Sequence, residues 1–146
     1  MAKFKYRMQN ILDIKYQLET QAKSEFAEAN ARFASEEQKM KSFQARKQMY
    51  ELEGKILIKG NLDMKKIHTN KRAIAAINEQ IERQKRAIDR AKKDLERSRN
   101  KLNEIMMDRK AHEKLKEKAF EEFKLELLAE ESKQVDELVS YTHRAD

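Results

Sequence analysis

The fold is decided by residues 67–102, which read IHTNKRAIAAINEQIERQKRAIDRAKKDLERSRNKL. An aliphatic side chain recurs there at every seventh position, at Ile67, Ile74, Ile81, Ile88, Leu95 and Leu102. An unbroken seven-residue repeat of this length predicts an α-helix that supercoils against a partner helix. Alternate steps of three and four residues extend the stripe through Asn70, Ile77, Gln84, Ala91, Ser98, Ile105, Arg109, His112, Lys116, Ala119 and Phe123.

The first half of the chain carries a similar, less regular stripe. It runs through Phe4, Met8, Ile11, Lys15, Leu18, Ala22, Phe26, Ala29, Phe33, Glu36, Met40, Phe43, Lys47 and Tyr50. The step from Ala22 to Phe26 breaks the alternation of three and four by one residue. Phe alternates with Ala on this stripe, which suits packing against the slimmer Ile and Leu side chains of the second stripe.

Both glycines of the chain, Gly54 and Gly60, lie between the two stripes. Gly is enriched where helices end, and Asn61 and Asp63 suit the N-cap of a following helix. Because the connection is short, the two helices are expected to be antiparallel neighbours. We therefore predict an all-α fold for residues 1–146, a single antiparallel two-helix coiled-coil hairpin with helix 1 at about 4–53, the turn at about 54–61 and helix 2 at about 62–140. The longer second helix overhangs where the termini meet.

Composition supports this class. Charged residues make up 40% of the chain and hydrophobic residues 39%, and there is no Pro and no Cys. The absence of Cys excludes disulfides, thiolate zinc sites and catalytic thiols. The longest apolar run, residues 56–58, is far shorter than the ~20 residues of a membrane span. No apolar run of a secretory leader follows the N-terminus. We expect a soluble, cytoplasmic protein.

Charge is unevenly distributed along the chain, which carries a formal net charge of +7. Residues 117–137 contain eight acidic and three basic residues. A basic stripe on the side away from the Ile/Leu stripe consists of Arg83, Arg86, Arg90, Lys93 and Arg97. It suits an acidic protein surface, nucleic acid phosphates or anionic lipid. It equally suits a solvated face held by local ion pairs such as Glu82–Arg86 and Asp89–Lys93.

The sequence offers no pattern typical of catalysis or metal binding. His68, His112 and His143 are too far apart along a helix to share a metal ion, and no HExxH motif is present. No glycine-rich phosphate loop or GxSxG motif occurs, and a bare hairpin lacks a concave pocket. We therefore predict no enzymatic activity, no cofactor and no metal.

Several large apolar residues lie off both stripes and near the two ends of the predicted hairpin: Tyr6, Tyr16, Met49, Leu52, Ile56, Leu57 and Ile58. Exposed Met, Tyr and Ile side chains are suitable anchors for a partner protein. The alternative is that they pack locally around the turn and the N-terminus.

The opening of the chain, MAKFKYRMQNILDIK (residues 1–15), with Glu19, Ala22, Lys23 and Ala29 after it, resembles the opening of the FliJ family of flagellar export proteins. The shared features are an aromatic–basic–aromatic start, an apolar pair near position 12 and a basic residue after it. The resemblance implies an antiparallel coiled coil similar to the stalk of rotary ATPases. It also implies insertion in the hexameric export ATPase FliI, contact with the export gate protein FlhA, and handling of export chaperones.

The resemblance implies two sets of contact residues. The ATPase-ring candidates are Phe4, Tyr6, Arg7, Met8, Ile11 and Leu12, and the export-gate candidates are Phe43, Met49, Tyr50, Ile74 and Ile77. The implied function is a non-catalytic coupling rod and chaperone escort of flagellar type III export, linked to flagellum biogenesis and chemotaxis. It would be cytoplasmic and peripherally associated with the cell membrane. The alternatives are a generic coiled-coil adaptor or chaperone, and a basic hairpin that binds nucleic acid.

Overall fold

The computed structural model describes residues 2–145, and Met1 and Asp146 lie outside the described residues. Helix α1 spans Gln9–Leu57 and helix α2 spans Met64–Ala145, with no strand among the described residues. The two helices pack against each other in opposite directions. Asn70 of α2 bonds Tyr50 of α1, whereas Gln84, further along α2, bonds Glu36, earlier in α1. The predicted all-α, antiparallel two-helix fold is confirmed.

The predicted stripe of α2 forms its packing face. All of its positions between Ile67 and Phe123 are buried or half-buried. The heptad spacing therefore identifies the face of α2 correctly, including its polar members Asn70 and Gln84, both of which are buried. Contacts group the described residues into two units, one formed by residues 22–102 and one by residues 2–21 and 103–145.

The unit of residues 22–102 holds most of the apolar core. Its buried side chains are Ala22, Ala29, Ile77, Ile81, Ala91 and Leu95. Small alanines on α1 let the helix backbones approach closely, and the aliphatic side chains of α2 fill the space between them. Ile77, only 2% exposed, is the largest fully buried side chain of this unit.

The turn lies later than the glycines predict. Helix α1 continues through Gly54 to Leu57, and α2 begins at Met64 instead of near residue 62. The Asp63 carboxylate caps α2, because its Oδ1 accepts hydrogen bonds from the backbone N–H groups of Lys65 (3.1 Å) and Lys66 (3.4 Å). Gly60, with φ +90°, is the one residue of the described chain with positive φ.

Gly54 serves close packing instead of ending the helix. A Cβ atom added to Gly54 would lie 2.7 Å from Oδ1 of Asn70. The Asn70 side chain lies against α1 at this point, and its Nδ2 donates a hydrogen bond to the carbonyl oxygen of Tyr50 at 2.8 Å. The sequence interpretation placed the helix end at Gly54 because glycine is common at C-termini; here the missing side chain makes room for an amide.

The unit of residues 2–21 and 103–145 begins without helix. Helix 1 was predicted from about residue 4, but α1 begins at Gln9. The preceding non-helical residues place the Phe4 ring against two rings of α2, 5.1 Å from Phe120 and 5.5 Å from Phe123 between centroids. Aromatic pairing of this kind packs the N-terminal segment against α2.

The early part of the α1 stripe was predicted in the wrong register. Met8, Ile11 and Leu18 are exposed, whereas Leu12 is 1% and Glu19 is 4% exposed. With Leu12 and Glu19 as stripe positions, steps of three and four alternate without the break assumed at Ala22. The sequence pattern favours the apolar Leu18 over the charged Glu19 as the buried residue. Glu19 is buried instead because Arg109, 90 residues away in the sequence, neutralises its charge.

Helix α2 extends to Ala145, beyond the predicted end near residue 140. In residues 124–144, every side chain except that of Leu127 is exposed. This part of α2 has no α1 residues beside it within its unit, as expected for a second helix that is longer than the first.

Candidate interaction surfaces

The ATPase-ring candidates divide into exposed and buried residues. Arg7, Met8 and Ile11 are exposed, and Phe4 and Tyr6 are half-buried. Leu12 is fully enclosed between the helices, so its side chain is unavailable to a partner. The N-terminal surface that remains is formed by Phe4, Tyr6, Arg7, Met8 and Ile11.

A cluster of charged and polar side chains lies one to two helical turns beyond that surface. We call it the terminal polar cluster, and it consists of Tyr16, Glu19, Arg109 and Glu113. The Arg109 guanidinium binds the Glu19 carboxylate through two hydrogen bonds, Nε to Oε2 at 2.6 Å and Nη2 to Oε1 at 3.0 Å. Its Nη1 donates to Oε2 of Glu113 at 3.0 Å. The Tyr16 hydroxyl donates to the other oxygen of Glu113, and the Arg109 guanidinium lies 5.8 Å from the Tyr16 ring centroid.

These contacts favour the charged forms of the Glu113 carboxyl group and the Arg109 guanidinium group. The hydrogen bond from Tyr16, together with the Arg109 guanidinium, holds the pKa of Glu113 below its usual value. The Glu113 carboxylate raises the pKa of the Tyr16 hydroxyl. The two carboxylates raise the pKa of Arg109. Because Glu113 and Arg109 are held in their charged forms and Tyr16 in its neutral form, these contacts serve to orient the two helices.

A second ion pair joins the helices beside this cluster. Lys15 Nζ lies 2.7 Å from Oδ2 of Asp108 and lowers the pKa of that carboxyl. His112, which occupies the predicted stripe, places Nε2 3.6 Å from Oδ1 of Asp108. Ion pairs therefore contribute to the interhelical packing of this unit, beside the apolar contacts of Leu12 and Phe4.

The export-gate candidates also divide by exposure. Met49 is 70% exposed, Phe43, Tyr50 and Ile74 are half-buried, and Ile77 is buried in the core. Ile77 therefore stabilises the helix pair and is not available as a contact. Of the five candidates, Met49 presents the largest fraction of its side chain to solvent.

Met49 belongs to an exposed apolar patch, and it is the only residue of that patch among the gate candidates. The turn-end patch consists of Met49, Leu52 and Ile56, which follow one another at steps of three and four on α1 and are all exposed. Arg46 and Glu53 border the groove beside it. Leu62 and Met64 are also exposed near the turn, and sequence reasoning missed both. The signal that identifies such residues is a large apolar side chain off the heptad stripe.

The basic stripe is exposed but largely paired within α2. Three ion pairs involve its members: Arg83 with Glu79, Lys93 with Asp89 and Arg97 with Asp94. The expected Asp89–Lys93 pair is present at 3.1 Å. Glu82 binds Lys85 at 3.0 Å, although the sequence favoured a pair with Arg86. Local pairing of this kind reduces the positive potential of the stripe.

Neither a membrane-spanning helix nor a cluster of metal ligands occurs within residues 2–145. No helix there is both long and apolar enough to cross a membrane. No group of three or more His, Cys, Asp or Glu side chains is arranged to hold a metal ion.

An antiparallel helix pair, with a mostly apolar seam in one unit and ion pairs across the seam of the other, defines a two-helix coiled-coil protein. The sequence model of one family, described as "Flagellar FliJ protein", matches residues 4–146. The chain therefore belongs to the FliJ family, a non-catalytic component of the flagellar export apparatus. No curated protein and no solved structure matches the chain.

Proposed function

We propose that this chain is a non-catalytic coupling subunit that links the hexameric export ATPase, a FliI-like protein, to the cytoplasmic domain of a FlhA-like export gate. Family membership supports the export role. The observation that carries the coupling role is that each unit has its own exposed apolar residues. Met8 and Ile11 lie in one unit and the turn-end patch lies in the other.

The N-terminal surface is the proposed contact with the ATPase ring. A single hairpin inside a six-fold ring cannot present the same side chains to all six subunits. The ring subunits therefore bind it with different free energies, and their conformations are biased to the extent of those differences. No chemistry by the chain itself is needed for this effect.

The turn-end patch is the proposed contact with the gate, together with the half-buried Phe43, Tyr50 and Ile74. Flexible Met and branched aliphatic side chains adapt to a partner surface and are suited to repeated association and release. Binding to the gate would hold the chain at the cytoplasmic face of the cell membrane. Export chaperones released from their cargo are the third proposed class of partner.

The test compares two double variants in two assays. Met8→Ala with Ile11→Ala should reduce stimulation of the export ATPase about tenfold and leave pull-down by the gate domain unchanged. Met49→Ala with Leu52→Ala should do the reverse. Hot-spot apolar side chains typically contribute enough binding energy for a tenfold effect. Swimming of a complemented deletion strain, and hence chemotaxis, should fail with either double variant.

A matched control uses an exposed apolar residue outside both surfaces. Met107, on α2, is 72% exposed, and Met107→Ala should retain both activities. If each double variant lost both activities while its helix content was unchanged, the assignment of separate partners to the two surfaces would be wrong. If every variant kept both, the chain would be a general coiled-coil adaptor with contacts elsewhere.

Binding of nucleic acid by the basic stripe is the weaker alternative, because three of the five stripe side chains have acidic partners on α2. Salt-sensitive binding of duplex DNA that is abolished by reversing Arg86 and Arg90, without any binding of the ATPase, would favour it.

A further inference from the structure

The end of α2 carries a second apolar stripe. It differs from the stripe that runs from Ile67 to Phe123 and packs against α1, here called the hairpin stripe. Beyond Phe123 the hairpin stripe would continue through charged residues, Glu126, Glu130 and Lys133. A new set of residues with alternate steps of three and four begins instead: Leu125, Leu128, Ser132, Val135, Val139 and Thr142. We call this set the C-terminal stripe. Its four large apolar side chains are between 56% and 65% exposed.

The C-terminal stripe has the spacing of a coiled-coil seam. A repeat of three and four places its residues along one side of the helix, where a partner helix inserts between them. Residues 124–145 form a helix of about six turns at the end of α2. In proteins most of the stability of a helix comes from packing of its apolar face, and this segment has no such packing within its unit. Within residues 2–145, nothing covers the four apolar side chains.

Charge indicates what kind of helix fits this seam. Residues 124–142 contain five acidic and two basic residues. Beside the stripe lie Lys124, Ala129, Glu131, Asp136, Leu138 and His143. The two acidic side chains, Glu131 and Asp136, flank its centre five residues apart. In a parallel pair of identical helices, Glu131 of one copy would face Asp136 of the other, and two like charges in this position are unfavourable. A parallel second copy of the chain is therefore a poor occupant, whereas lysines or arginines at the positions that face Glu131 and Asp136 would be attracted.

We propose that residues 124–142 are a binding site for a basic amphipathic helix of a partner protein, which completes a coiled coil on the C-terminal stripe. The partner helix supplies apolar residues at steps of three and four, flanked by Lys or Arg. This surface is separate from the N-terminal surface and the turn-end patch, so its failure in a test would leave the proposed coupling function intact.

The test uses a fluorescently labelled synthetic peptide of about 21 residues, with Leu at the seam positions and Lys at the flanking positions. Fluorescence anisotropy with the full chain should show saturable binding. A peptide of the same composition in scrambled order should bind about tenfold or more weakly. A version with Glu in place of Lys should also bind weakly, because it would place like charges beside Glu131 and Asp136.

Two charge-reversal variants locate the bound peptide. Glu131→Lys with Asp136→Lys changes the flanks of the stripe, whereas Glu130→Lys with Glu137→Lys makes the same change in net charge on the opposite side of the helix. The first should raise the dissociation constant about tenfold and the second about threefold or less. Leu128→Gln with Val135→Gln should also weaken binding about tenfold, and Tyr141→Gln, an exposed position off the stripe, should not.

Three outcomes would overturn the proposal. Equal weakening by the two charge-reversal variants would indicate general attraction to an acidic segment without a defined seam. Binding that all variants leave unchanged would place the peptide elsewhere on the chain. Dimerisation of the full chain in sedimentation equilibrium that Leu128→Gln with Val135→Gln abolishes would make a second copy the occupant.

Discussion

Glu19 carries a carboxylate on the buried face of α1, where it is 4% exposed. A charge in such a position is tolerated only when a partner supplies the hydrogen bonds that water would have made. Arg109 does so with two, and it binds Glu113 with a third nitrogen. Breaking a pair of this kind by removing one member is strongly unfavourable, whereas replacing both members by apolar residues need not be. The cluster therefore selects one alignment of the helices more than it adds stability.

Tyr16→Phe tests the cluster through its pH dependence. In the folded chain the pKa of Glu113 lies below its ordinary value of 4.5, with the Tyr16 hydrogen bond as the first cause. A lowered folded-state pKa stabilises the protein above the unfolded-state pKa, and that stabilisation is lost as pH falls through the folded value. Tyr16→Phe should therefore melt at a lower temperature than wild type at pH 7, and the difference should shrink as pH falls below 4.5.

The measurement is thermal melting followed by circular dichroism between pH 3 and pH 8. Tyr50→Phe provides a control, because Tyr50 belongs to the unit of residues 22–102 and Glu113 to the other unit. A difference between Tyr16→Phe and wild type that stays constant over the whole pH range would show that the hydroxyl does not act through Glu113.

Between elements, the contact of Asn70 with Gly54 fixes how the two helices meet near the turn. The amide of Asn70 takes the space where any other residue at position 54 would place a Cβ atom. It also donates to the Tyr50 carbonyl, so this buried polar side chain is satisfied. An Asn at a seam position specifies alignment at some cost in stability, as it does in other coiled coils.

Gly54→Ala should change the free energy of unfolding in opposite directions in the presence and in the absence of the Asn70 side chain. Alanine is about 1 kcal/mol more favourable than glycine inside a helix. In the wild type, however, its Cβ would displace the Asn70 amide, and we expect a net loss of stability. In an Asn70→Ala background the obstacle is absent, so Gly54→Ala should stabilise the chain by up to about 1 kcal/mol.

Urea denaturation of the four proteins of this cycle measures both effects. Gly60→Ala is the matched control, since Gly60 has φ +90° and no neighbour within 4 Å of an added Cβ. Its cost comes from the backbone and should be the same with or without Asn70. Stabilisation by Gly54→Ala in the wild-type background would contradict the proposed clash.

How far the sequence predicts these elements depends on where the deciding contacts lie. The face of α2 follows from spacing alone, because apolar residues repeat without interruption from Ile67 to Leu102. The face of α1 near Leu18 and the end of α1 near Gly54 were misjudged. Each depends on one side chain of α2, Arg109 or Asn70, whose proximity local sequence does not reveal. The assignment of contact residues to particular partners follows only from the resemblance, and burial removes Leu12 and Ile77 from the accessible candidates.

Across the whole molecule, the two units differ in what fills their seams. The unit of residues 22–102 buries Ile77, Ile81 and Leu95, whereas the seam of the other unit includes Lys15, Glu19, Arg109 and His112. Apolar burial contributes most of the stability of a folded chain, and ion pairs contribute less. We infer that the unit with the ionic seam opens more readily.

Native-state hydrogen exchange measures this difference. Amides of residues 74–95 should exchange at least about tenfold more slowly than those of residues 103–123, and residues 124–144 should exchange fastest. Raising the salt concentration should speed exchange in residues 103–123 more than in residues 74–95, because salt screens ionic contacts. Uniform protection from residue 74 to residue 123 would show that the chain opens as one cooperative structure.

The hydrogen bonds of Gln84 have a mechanical consequence. Its Nε2 donates to the backbone oxygen of Glu36 at 2.8 Å and to the Glu36 carboxylate at 2.5 Å. If an axial force slid one helix along the other by one heptad, Gln84 would face Phe43 or Ala29, neither of which has a side-chain acceptor. The bond to a main-chain oxygen could be remade in the new position, but the bond to the carboxylate would be lost, and a hydrogen bond to a charged group contributes about 1.5–3 kcal/mol. Sliding is thus opposed at a discrete point, so part of a pull on one helix is passed to the other.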